Sequence, residues 1–207
     1  MSIIAITLAT RNWLKKKNLD TGGAYYDGDT QGYISTDFLY GALEAAEQTI
    51  LQSIETFSEK EMLWRPYPET PSTGFLIWHV ARVQDVLVHK YILEQPEIWS
   101  SQGWAQQFGL PLDETGQDYT GEQISHFEEP PKSELIEYLK ATFRAALRSV
   151  EQLGADQNTL SNEKMMQSMR YLIILNTHVN LHAGSINYIR EVLTASRETP
   201  EVPYEAS

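Results

Sequence analysis

The chain has 207 residues, 42% hydrophobic and 21% charged, proportions of a globular protein with a packed core and not of a disordered chain; that length favours one domain over two. A net charge of −12 without any long run of Lys and Arg argues against a nucleic-acid partner. The lack of cysteine excludes disulfides, thiolate metal ligands and a cysteine nucleophile.

Met1 to Thr10 contain a short apolar stretch, but the positive charges Lys15, Lys16 and Lys17 follow it, the wrong order for a secretory signal. No stretch approaches eighteen apolar residues, so no membrane span is expected and the chain reads as cytoplasmic. The lysine cluster reads as a solvated turn of a short helix over Ile4 to Lys17. Asp20 to Gly32, rich in Gly, Asp and Tyr, has no period, and residues 1–35 read as an N-terminal arm.

From Thr36 the pattern changes. Phe38, Leu39, Ala42, Leu43, Ala46, Ile50 and Ile54 recur at three- and four-residue steps, which predicts a first helix. Pro66, Pro68 and Pro71 interrupt it, and Ser72 or Thr73 can cap a second helix over about Gly74 to Glu94, with Leu76, His79, Val80, Val83 and Val86 or Leu87 inward. The stretch from Gln95 to Pro131 is long for a loop in a compact domain, which predicts a functional or partly helical connection. It can cross the whole bundle, so that the third helix runs parallel to the second. The third helix is expected over Ser133 to Leu153, with Leu135, Leu139, Phe143, Ala146, Leu147 and Val150 inward and Gly154 as a left-handed terminator. A fourth spans about Met165 to Ala195, with Leu172, Leu175, His178, His182, Ile186, Ile189 and Leu193 on one face. The expected fold is all-α, a four-helix bundle over 36–195 followed by a flexible tail, 196–207.

His178 and His182 are four residues apart, so one helical turn aims both imidazoles at the same point, as a divalent metal requires of two nitrogen ligands. His79 falls on the core face of the second helix. Buried imidazoles are costly without partners, and a shared ion would satisfy all three; separate core histidines bonded to carbonyls or water are the alternative on spacing and phase alone.

Two stretches carry a resemblance. Trp78-His79-Val80-Ala81-Arg82-Val83-Gln84-Asp85 and His178 through His182-Ala183-Gly184-Ser185-Ile186-Asn187-Tyr188-Ile189-Arg190 look like the signature helices of the DinB-like superfamily. The resemblance covers about Thr36 to Leu193, including the segments Pro96 to Trp99 and Gly109 to Pro111. It implies an up-down-down-up bundle, often dimeric, with a divalent metal on one histidine of the second helix and two of the fourth, which here are His79, His178 and His182. Ser185 stands where many members have glutamine, and Glu191 where glycine is common; these departures leave the ligands intact and bear on the substrate pocket.

Three neutral imidazoles leave an ion its full charge and an open position, able to acidify a water or hold an external thiol as thiolate. Understood relatives include enzymes that use low-molecular-weight thiols. The resemblance therefore implies a metal-dependent transferase, with such a thiol as second cofactor, or a hydrolase, acting on a small molecule through zinc or nickel as a homodimer. The alternative is a non-catalytic metal- or ligand-binding bundle that serves as a dimeric interaction module. No catalytic acid or base is singled out.

Other side chains read more simply. His89 lies ten residues beyond His79, about 80° around an ideal helix, and is expected at the surface or a boundary. His126 is expected to be an exposed loop residue within possible reach of the site as acid or base. Arg82 and Asp85 suit salt bridges, Trp99 and Trp104 suit packing of the long connection or a pocket wall, and Asn176 and Asn180 suit support of the ligands.

Overall fold

A computed structural model describes residues 36–156 and 160–198, with the side chains of residues 197 and 198 excepted. The expected Ile4 to Lys17 helix, the arm and residues 199–207 of the expected tail lie outside the described residues.

The heptad-like stripe on the first helix does form a core face. Helix α1 spans Thr36–Ile54 and buries Leu39, Leu43, Ala46, Ile50 and Ile54, while Phe38 stays 66% exposed, one position off the stripe it was expected to join. A short helix not foreseen, α2 (Glu59–Met62), follows. Ser58 caps it by accepting from the Glu61 backbone N–H, and the Glu61 carboxylate accepts from the Ser58 N–H, so both orphan donors are satisfied.

Helix α3 (Thr73–Asp85) starts at Ser72, whose hydroxyl accepts from the Phe75 N–H and donates to Glu129. It is buried almost all round, Trp78 and Gln84 included, because it is covered on its outer side as well as its bundle side. The cover is the connection, which holds α4 (Ile98–Ser101), α5 (Trp104–Phe108) and α6 (Gly121–Ser125). Partial helicity of this stretch was expected. Its anchor is buried Asp85, whose carboxylate accepts from the backbone N–H groups of Ile98 and Trp99 at 3.0 and 2.8 Å and from the Tyr138 hydroxyl at 2.8 Å. Arg82 completes the tie, donating to Glu97, to the Glu114 carbonyl and to Tyr138. Trp99 and Trp104 pack against Phe108 and Tyr138, as local clustering predicted.

Beyond Asp85 the helix widens into a π-helical segment, Val86–Leu93, ended by Glu94 in the left-handed region at φ 53°. Helix α7 (Lys132–Ala155) and helix α8 (Asn162–Glu198) complete the bundle. Helices α1 and α3 each pack against both α7 and α8. Contacts between ends fix directions: Lys132 Nζ caps the C-terminus of α1 through the carbonyls of Ile54 and Phe57, Glu129 ties the start of α7 to the start of α3, and Lys164 near the start of α8 pairs with Glu94. Gly154 does not terminate α7, contrary to expectation; the helix runs through it to Ala155. Its lack of a side chain admits Thr36, since a Cβ there would lie 3.1 Å from Thr36 Oγ1. Among the described residues no helix is long and apolar enough to cross a membrane.

Candidate metal centre

The core stripe of α8 carries His178 and His182 inward at a spacing of one turn, and α3 carries His79 across from them. His79 is 2% and His182 3% exposed, and the ring centroids lie 4.9, 5.1 and 4.5 Å apart. One ligand atom from each histidine falls within 4.8 Å of the others, and they are the group of this kind found among the described residues.

One ring of the cluster is oriented by a contact outside it. His79 Nδ1 donates to the Thr115 carbonyl at 2.6 Å, which leaves its Nε2 as a bare lone pair facing inward. His178 Nε2 sits 3.0 Å from His79 Nε2, at hydrogen-bond distance, and His178 Nδ1 is buried with no hydrogen-bond partner among the described residues. Tetrahedral bonds of about 2.0–2.1 Å to zinc place two ligand nitrogens about 3.3 Å apart, close to the observed separation. Burial pushes all three rings toward neutrality. It lowers His79 despite the opposing Thr115 bond, holds His178 well below the usual range with help from the neighbouring His182 and His79, and takes His182 down to about 3 with a smaller push from His79. All three therefore keep free lone pairs at neutral pH, as metal ligation requires.

The residues that hold this geometry extend beyond the three histidines. Phe75 stacks on His79 and edges onto Phe127, and Gly116, at φ 75°, lets the backbone next to Thr115 approach Trp78; a Cβ there would lie 2.7 Å from Trp78 Cζ3. The Thr115 contact was missed in the sequence, where only Gly116 beside it hints at a close approach. Asn180 bonds to Asn176 and not to a histidine of the cluster. His126 is exposed and held on its own helix by the Glu122 carbonyl at 2.8 Å, outside the cluster. His89 departs from expectation. It is 7% exposed, because the wide π turn and the connection enclose it, and its Nδ1 lies 2.7 Å from Asp85 Oδ1. Ser185 donates to its own helix at Leu181, and Glu191 accepts from Asn187.

One turn from His79 and His182 lies a shallow cleft of about 430 Å³ walled by Pro66, Pro71, Leu76, Leu181, Ser185 and Tyr188, with no charged side chain in its lining. A helical bundle with an inward three-histidine cluster drawn from two helices defines the class of protein. The sequence pattern of the DinB superfamily matches residues 42–186, and the chain belongs to that superfamily. No curated protein matches the sequence. The crystal structure of a conserved protein from Enterococcus faecalis is similar in fold, with a TM-score of 0.62 and 20% identity over 77% of this chain and 97% of that one.

Proposed function

We propose that the chain is a metal-dependent enzyme acting on a small molecule, a transferase that works with a low-molecular-weight thiol or a hydrolase, with His79, His178 and His182 as metal ligands. The observation that carries the proposal is the meeting of three neutral imidazoles around one point, with the His79 tautomer fixed by Thr115. A zinc or nickel ion held there would supply Lewis acidity toward a group presented at its open side. The protein's own part is orientation and exclusion of water: Thr115 fixes one ring, and Phe75 and the connection shield it. The uncharged cleft beside the cluster suits a substrate with an apolar portion. Because the chain has no cysteine, a thiol must come from outside. A homodimer in the cytoplasm, without nucleic-acid or membrane partners, is part of the same proposal.

The test is to load the purified chain with zinc or nickel and offer it a panel of small thiols with alkyl and epoxide electrophiles, and a parallel panel of esters and amides. Thiol consumption or hydrolysis that disappears in His182→Ala supports the proposal. Turnover that persists in that variant, or inactivity of the fully metal-loaded chain across both panels, contradicts it and favours a binding module.

A further inference from the structure

A second cleft, also about 430 Å³, lies where the π-helical segment, the start of the connection and α7 meet. That volume falls in the range of small-molecule sites. Its lining differs in kind from the cleft beside the metal centre: His89, Gln95, Ser101 and Gln102 face Arg144 and Arg148. His89 is ten residues beyond His79, about 15 Å along a helix axis, so the two sites are separate.

Three independent features single this place out. Arg144 and Arg148 are four residues apart on α7 and so project side by side. Among the described residues neither guanidinium has a carboxylate at ion-pair distance, although the charge of Glu47 on α1 reaches Arg144. The two guanidinium groups thus stand side by side at a cleft in a chain whose net charge is −12. The second feature is His89, whose side chain is 9% exposed. Its Nδ1 lies at ion-pairing distance from buried Asp85 but outside hydrogen-bond alignment, and its Nε2 has no hydrogen bond to any described residue. The third is the backbone. The π-helical segment closes with the N–H groups of Glu94 and Gln95 both directed to the His89 carbonyl and with Glu94 left-handed, so the uncommon turn is centred on the residue at the cleft.

We infer that this cleft, which His89 also lines, binds a small oxyanion, the carboxylate or phosphate group of a metabolite, between Arg144 and Arg148. Planar guanidinium groups match the paired oxygens of either anion, and the Gln95 and Gln102 amides and the Ser101 hydroxyl supply further donors around it. The His89 ring faces the Asp85 carboxylate with its Nδ1 edge, 2.7 Å from Oδ1.

The experiment is calorimetric titration of the full chain with inorganic phosphate and, separately, with succinate. Wild type, Arg144→Gln/Arg148→Gln and His182→Ala are compared, and far-UV circular dichroism verifies each fold. Both arginines are exposed, so their replacement leaves the core intact. At least one probe is expected to bind wild type and His182→Ala alike, about tenfold or more weaker in the arginine variant, and weaker as salt rises. The tighter probe identifies the anion as phosphate or carboxylate. Binding of neither probe, unchanged binding in the arginine variant, or loss of binding in His182→Ala, which would place the anion at the metal centre, each overturns the inference.

Discussion

Replacing Asp85 with alanine strikes the point at which the long connection is fastened to the bundle. Asp85 is fully buried and accepts from Ile98 N–H, Trp99 N–H and the Tyr138 hydroxyl, while Arg82 lies 3.4 Å from its Oδ2. Alanine leaves those three donors buried and unpaired, at about 1–3 kcal/mol each when taken singly. The guanidinium of Arg82 keeps Glu97 at 2.8 Å and the Glu114 carbonyl at 3.0 Å, so it is not stranded. Because the donors share one acceptor their losses do not add, and the expected cost is about 3–4 kcal/mol, within the range for breaking a buried charge pair. That is a large part of a typical domain's total of about 5–15 kcal/mol. Urea unfolding followed by circular dichroism reads it as a lower midpoint at similar slope. Asp85→Asn, which keeps one acceptor oxygen, should fall between wild type and alanine. A cost below about 1 kcal/mol for the alanine variant would refute the view that Asp85 fastens the connection.

Two further outcomes follow from the metal centre. Gly116→Ala puts a Cβ 2.7 Å from Trp78 and forces alanine to φ 75°, the latter alone costing about 1–2 kcal/mol. Displacing the adjacent Thr115 carbonyl from His79 should also weaken metal retention about tenfold in a chelator competition, whereas melting and retention equal to wild type would contradict the account. In the metal-free protein, burial lowers His182 to about 3 while the unfolded chain takes up protons near the ordinary 6.5. Stability is therefore at its full value above about pH 6.5 and falls as the pH drops toward about 3, because the unfolded state binds the proton first. His182 alone contributes a loss of about 2 kcal/mol by about pH 5, and His178 acts in the same direction. Urea midpoints that stay flat between neutral pH and about pH 5 would contradict that sign.

The features legible in the sequence were those written in short-range periodicity. The α1, α7 and α8 stripes and the inward phase of His79, His178 and His182 follow from the 3.6-residue repeat, and Ser72, one of two residues expected as a cap, from its type and its place after the prolines. Features set by distant segments were not legible. The outer face of α3 is buried because the connection wraps it, which no local pattern states, and the Thr115 carbonyl reaches His79 from 36 residues away. His89 lies off the face of the histidine cluster, as the helical angle implied, but its burial was not legible because the residues that enclose it come from the connection and α7. Gly154 was read as a terminator although it serves the close approach of Thr36, a role that glycine carries without any local signal.

The central claim is that three imidazoles from α3 and α8 hold one ion. Elemental mass spectrometry of the purified chain after loading with zinc or nickel and gel filtration, set beside His182→Ala, tests it. The account predicts about one divalent ion per wild-type chain and a marked loss in the variant, given three protein ligands at a site of this type. A wild-type chain that retains no ion, or a variant that retains as much as wild type, would contradict it.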